Sequence, residues 1–149
     1  MFKNILIPTD GSRLAAKGIK AGVKLAKALG ARVTGVYVVA PFPRPIYSEA
    51  ALYAMPGYTE ADYRKAAEKT AKKALAAIEI EAQTAGVRCD TRIVTHTQPW
   101  SGILKAARAG KCDAIAMASH GRAGLPGLIL GSETQRVLAH SKLPVLVTR

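Results

Sequence analysis

Cysteine, histidine, aromatic side chains and acid are all scarce in this chain, and each scarcity removes a class of function. The two cysteines, Cys89 and Cys112, cannot build a disulfide framework and fit no ligand spacing. They read as small apolar packing residues. The three histidines, His96, His120 and His140, have no partner spacing that suggests zinc. Aromatics make up 5% of the residues and Trp100 is the single tryptophan, which leaves little to stack on bases. No apolar run approaches the ~20 residues that a membrane-spanning helix needs. The opening Met-Phe-Lys-Asn-Ile-Leu-Ile-Pro-Thr-Asp holds an apolar stretch too short for a secretory signal, and Pro8 and Asp10 interrupt it, so a cytoplasmic location is expected.

Acid is scarce relative to base: 10 Asp and Glu stand against 22 Lys and Arg, for a formal net charge of +12. Such an excess raises nucleic acid or another polyanion as a partner. Its distribution points elsewhere. Arg13, Lys17, Lys20, Lys24 and Lys27 recur at helical spacing, with Ala15, Ile19, Val23 and Ala26 on the opposite face. That pattern is the wet side of an amphipathic helix, and a nucleic-acid partner is not expected from it.

What is present is a length of 149 residues, suited to one domain, and a hydrophobic content of 49%, enough for a packed core. Strand-like and helix-like segments alternate. Residues 3–8 read as a short buried strand, followed by the turn Thr9-Asp10-Gly11-Ser12 and a helix over 13–29 that stops at Gly30. A β-branched run at 33–39 makes the second strand. Pro41, Pro43 and Pro45 then open a loop that holds Tyr47, Tyr53 and Tyr58. The spacing predicts a second helix over 59–85 ended by Gly86, with Glu68 and Lys72 at a favourable interval. A third strand over 87–95 follows, and then a third helix from Pro99 to near Gly110 with Thr97 as its cap. The chain closes with a strand over 113–117, a helix over 132–140 and a strand over 143–148. Five strands alternating with four helices imply a doubly wound parallel sheet with helices on both faces and no second domain.

Several nucleotide and hydrolase chemistries are absent. There is no Gly-x-x-x-x-Gly-Lys-Ser/Thr, no Gly-x-Gly-x-x-Gly after the first strand and no Gly-x-Ser-x-Gly. A receiver domain would carry an aspartate at the end of the third strand, where this chain has Thr95-His96-Thr97. Residues 118–134, Ala-Ser-His-Gly-Arg-Ala-Gly-Leu-Pro-Gly-Leu-Ile-Leu-Gly-Ser-Glu-Thr, are different. Gly121, Gly124, Gly127 and Gly131 lie between an apolar strand and a helix start, an arrangement that suits phosphate but equally describes a glycine-rich surface loop. Ser132 is placed to cap the helix or to meet an oxygen. His120 sits where it can donate to a phosphate or serve a structural role. In a doubly wound sheet this loop and the Pro8-Thr9-Asp10-Gly11 turn meet beyond the carboxyl ends of the strands, where ligands bind.

The opening Ile-Leu-Ile-Pro-Thr-Asp-Gly-Ser, the pattern Met-x-Ser-His-Gly-Arg, the Leu-Gly-Ser and the closing Pro-Val-Leu-Val resemble the universal stress proteins of the UspA type over essentially the whole chain. The ATP-binding branch of that family carries Gly-x-x-Gly, nine residues, then Gly and Ser or Thr. Here the frame is Ala118-Ser119-His120-Gly121, nine residues, then Gly131-Ser132, with alanine in place of the first glycine.

The resemblance implies the strand order 3-2-1-4-5, a homodimer through the C-terminal strand, and ATP held, with or without Mg2+, without efficient turnover. By carry-over, Pro8, Thr9 and Asp10 line the adenosine side and the backbone near Val38 meets the base. Met117 and Ala118 form the pocket floor, and Gly121, Gly131, Ser132, Glu133 and Thr134 surround the phosphates. Asp10 suits a ribose hydroxyl or a metal, and equally a turn or cap. No residue stands out as a general base or activated nucleophile. The expected function is a stress-response binding and signalling module; a dimeric adaptor without nucleotide, or a slow ATPase, are the alternatives.

Overall fold

A computed structural model describes residues 1–42, 57, 59–119 and 130–149. The tyrosine-bearing loop around Tyr47, Tyr53 and Tyr58, and the stretch holding His120, Gly121, Gly124 and Gly127, lie outside the described residues. The elements are β1 (Asn4–Pro8), α1 (Ala15–Leu29), β2 (Arg32–Val39), α2 (Glu60–Ala85), β3 (Cys89–Thr95), α3 (Pro99–Ala109), β4 (Ala114–Ala118), α4 (Ser132–His140) and β5 (Val145–Thr148). All strand pairs are parallel and the order is β3-β2-β1-β4-β5, as expected.

Local chemistry sets the boundaries. Gly30 (φ 64°) and Gly86 (φ 71°) end α1 and α2 in the left-handed conformation, where a β-carbon is strained. Thr59 and Asp62 form a reciprocal capping box at the start of α2. Three expected helix starts are corrected. The first helix begins at Ala15, because Gly11 (φ 77°) turns the chain and the Ser12 hydroxyl accepts the Ala15 amide at 3.2 Å. Gln98, not Thr97, occupies the N-cap of α3, and no side chain of that segment caps it. Gly131 is the N-cap of α4, so Ser132 is the first helical residue and not the cap. Strands three and five start two residues later than expected, at Cys89 and Val145.

The strand β1 feeds both faces of the sheet by alternation. Ile5 and Ile7 join Val23, Val33, Leu75 and Ile78 in a core beneath α1 and α2. Leu6 joins Val36, Ile103, Ile115, Met117 and Val137 in a second core beneath α3 and α4. Ile5, Leu6 and Ile7 have no solvent exposure, and burying each contributes about 1.5–3 kcal/mol.

The amino end of the sheet is closed by buried polar groups. The Thr34 hydroxyl donates to Asn4 Oδ1 (3.0 Å), and Asn4 Nδ2 donates to the Gly110 carbonyl (2.8 Å). The Asp113 carboxylate accepts the amides of Lys3 (2.7 Å) and Asn4 (3.1 Å). These bonds lash β1 to β2 and β4 at the end opposite the glycine-rich loop.

Candidate functional site

The winding reverses between β1 and β4, and one residue explains why a crevice opens there. The Asp113 amide donates to the Asn4 carbonyl, so even-numbered residues of β1 present their backbone to β4. The Thr9 amide donates to the Val36 carbonyl at 3.0 Å, so odd-numbered ones face β2. The next amide due to reach β4 after Leu6 belongs to Pro8, which has none. The β1–β4 pairing accordingly ends at Leu6↔Ile115, whereas β1–β2 pairing runs on to Pro8↔Val36. On the far side, the Ser119 amide turns away to the Thr148 carbonyl of β5 at 2.7 Å. The carboxyl ends of β1 and β4 thus lean on their outer neighbours.

The turn after β1 is held by its own side chains. Thr9 is buried and its hydroxyl accepts the Gly11 amide at 3.1 Å. Asp10 Oδ1 accepts the Ser12 amide at 2.9 Å, the turn-forming role open to an aspartate there.

The opposite wall is the start of α4, tied to the end of β4 at two points. The Gly131 amide donates to the Ser119 carbonyl (2.7 Å), and the buried Thr134 hydroxyl donates to the Ala118 carbonyl (3.1 Å). The amides of Ser132, Glu133 and Thr134 fall in the first helical turn, which offers them no partner within the helix. With the helix dipole they make this end attractive to an anion. Ala118 pairs in register with Thr148 as ordinary extended strand, and among the described non-glycine residues only Lys111 has a positive φ (51°). Its backbone therefore does not require glycine.

The remaining site residues divide by which part of them reaches the crevice. The Met117 side chain belongs to the core beneath α3 and α4, so only its backbone is available as floor. Val38 packs the same way: a β-carbon on Gly102 of α3 would lie 2.7 Å from Val38 Cγ1. Glu133 Oε2 accepts the Trp100 amide at 2.7 Å, and its other oxygen lies 3.7 Å from Arg136 Nη1. This carboxylate caps α3 from a neighbouring helix. Trp100 in turn stacks on His140, with ring centroids 4.4 Å apart, clasping α3 to α4. His120 and Gly121 lie outside the described residues.

Sequence reasoning passed over Gly18. A β-carbon there would stand 2.5 Å from the Ala118 nitrogen and 2.9 Å from the Met117 carbonyl carbon, so α1 rests on bare backbone at the rim of the crevice. One turn on, Gly22 is packed as closely, but against the side chains of Ile7 and Ala116. The available signal was a pair of glycines four apart within a helical pattern otherwise built of alanine, lysine and aliphatics.

A doubly wound sheet, a crevice at the winding reversal and a helix amino terminus after its glycine-rich loop define a class of small α/β ligand-binding domains. The chain matches the universal stress protein family over residues 1–149 and belongs to that family. A universal stress protein of Thermus aquaticus is 31% identical over the full length of both chains. The universal stress protein MJ0577 of Methanocaldococcus jannaschii is 32% identical over all of this chain and 96% of its own. The solved MJ0577 structure superposes with a TM-score of 0.73 over 99% of this chain and 96% of that one. A universal stress protein from Archaeoglobus fulgidus, solved in complex with dAMP, shares the fold at a TM-score of 0.64 and 18% identity, over 99% and 98% of the two chains.

Proposed function

We propose that this universal stress protein binds ATP in the crevice beyond β1 and β4 and works as a binding and signalling module, not as an efficient enzyme. The observation that carries the reading is the first turn of α4, fixed to the end of β4 through Gly131 and Thr134. It presents helix-start amides to the place where the glycine-rich frame leads. The dAMP complex of the Archaeoglobus fulgidus protein supports an adenine nucleotide as the class of ligand. In this reading Pro8, Thr9 and Asp10 line the adenosine side, the Val38 backbone meets the base, and Met117 and Ala118 form the floor. His120, Gly121, Gly131, Ser132, Glu133 and Thr134 surround the phosphates. Glu133 contributes its amide, since its carboxylate holds Trp100 and Arg136.

Mg2+ would accompany the phosphates. Among the described residues no group of three His, Cys, Asp or Glu could cage it, and magnesium commonly binds through substrate phosphates. Hydrolysis is expected far below the roughly 1–10³ s⁻¹ of typical enzymes, because among the described residues of the site none is identifiable as aligning an attacking water.

The protein acts as a two-fold homodimer through β5 in this reading. Of the two sheet edges, β3 exposes Ile93 but carries exposed Asp90 and Arg92 beside it, whereas β5 exposes Leu146 and carries no charged residue. Purification without added nucleotide, followed by denaturation and chromatography, is expected to release adenine nucleotide. Calorimetry is expected to show ATP binding that Gly131→Val abolishes. Failure of the wild type to bind at millimolar ATP would leave the adaptor function in its place.

A further inference from the structure

The outer face of α1 is an uninterrupted row of cations. At about 100° per residue, Lys17, Lys20, Lys24 and Lys27 fall within an arc of about 80°, and Arg13 lies in the turn just before the helix. All five are exposed, α1 contains no acidic residue, and among the described residues none of the five is in an ion pair. The neighbouring α2 is different: its basic residues are mixed with acids, and Arg64–Glu60 and Lys72–Glu68 pair along it. Five of the 22 basic residues thus lie together where no acid of α1 opposes them. Read from periodicity alone, the row is only the wet side of a helix. In the structure Gly18 and Gly22 bring the opposite side of α1 hard against the sheet, so the row faces outward.

We propose that this row binds the phosphate backbone of double-stranded DNA without sequence preference. The four lysines run from residue 17 to residue 27, about 15 Å at 1.5 Å per residue, and so cover about four phosphates of one strand at ~3.4 Å each, with Arg13 beyond them. Four of the five cations are lysines, point charges that neutralise phosphate, and α1 offers no Asn, Gln or acid to read base edges. It carries no aromatic residue to stack on single strands. An anionic bilayer fits less well. The apolar side of α1 is already buried on the sheet, and the exposed Leu14, just before the helix, is a single apolar side chain.

The test is fluorescence anisotropy with a labelled 30-base-pair duplex across a salt series. The proteins compared are the wild type, the variant Lys17→Gln/Lys20→Gln/Lys24→Gln/Lys27→Gln, and a control losing the same charge elsewhere, Lys65→Gln/Lys73→Gln/Lys105→Gln/Lys142→Gln. The wild type is expected to bind with log K falling about 4–5 for each tenfold rise in salt, from about 0.9 per neutralised phosphate. The α1 variant is expected to lose at least tenfold in affinity and about 3–4 of that slope, with the control close to wild type. Circular dichroism and ATP calorimetry should be unchanged in all three, which separates this row from the nucleotide crevice. Equal binding by the α1 variant, equal loss in the control, no binding at low salt, or preference for phosphatidylserine vesicles over the duplex would each overturn the proposal.

Discussion

Gly18 and Ala118 touch backbone to backbone: a β-carbon on Gly18 would sit 2.5 Å from the Ala118 nitrogen. In an exposed helix interior, replacing glycine with alanine stabilises by about 1 kcal/mol. Here the sign reverses, because the added methyl meets main chain that cannot rotate aside. Gly18→Ala is expected to lower stability by about 1–3 kcal/mol, the usual cost of overpacking. It is also expected to weaken ATP binding by displacing the pocket floor. Urea denaturation and calorimetry on the same sample check both; a more stable protein would show that α1 can lift off.

Ala118 is the one break in the glycine frame, and its extended conformation already suits alanine. Restoring glycine removes one methyl and relieves no backbone strain. Ala118→Gly is therefore expected to tighten ATP by less than about tenfold, or about 1 kcal/mol. A gain of several hundredfold in calorimetry would mean that the alanine blocks the site.

The amino-end lashing gives a stability prediction free of the ligand. Asn4 is 3% exposed and satisfies both the Thr34 hydroxyl and the Gly110 carbonyl. Asn4→Ala leaves both buried groups without that partner and is expected to cost about 2–3 kcal/mol. Adding Thr34→Val removes one orphan, so the double variant should recover part of the loss. Simple addition of the two single effects would argue against the bond.

Both thiols are expected to be sluggish. Burial, reinforced by the charges of Glu79 and Asp90, pushes the Cys89 thiol up to about 11, and burial also raises Cys112. The thiolate is the reactive form, so alkylation of Cys89 by iodoacetamide at pH 8 should run on the order of a hundredfold below an ordinary thiol. Glu79→Gln should speed it. The raised value also means that Cys89 favours the fold below its unfolded pKa and loses that contribution as pH climbs from about 9 towards 11. Alkaline melting curves of wild type and Cys89→Ser should converge above that window.

For assembly, sedimentation at micromolar concentration is expected to show a dimer. The informative probe is Leu146→Lys. Leu146 is exposed on β5, whereas Val147 packs against the core beneath α3 and α4, where a charge would unfold as well as dissociate. A dimer that survives Leu146→Lys unchanged would move the interface elsewhere.

The sheet was legible in the sequence because each β-branched run was punctuated by a glycine or proline whose conformational reason was local. Gly30 and Gly86 stop their helices as their type dictates. The helix starts were less legible, because their satisfaction is not local. The amide of Trp100 finds its acceptor in Glu133, 33 residues away, and no pattern around Thr97 could have announced it. Glu133 shows the same limit from the site's side. Its place beside Ser132 suggested phosphate, but a cross-helix bond takes its carboxylate. The contact between Gly18 and Ala118, 100 residues apart, is a relation of surfaces and has no signature in either neighbourhood.

Pro8 sits inside the sheet, at the carboxyl end of β1, and it withholds the one amide that would have carried the β1–β4 pairing outward. The address of the crevice is thus set by an imino acid in a strand, while the choice of any ligand would fall to the loops that follow the strands. The two can change independently across generations of sequence. Loops can be exchanged to hold a different small molecule at the same spot, with the lashing of Asn4 and Asp113 at the far end keeping the strands in register throughout.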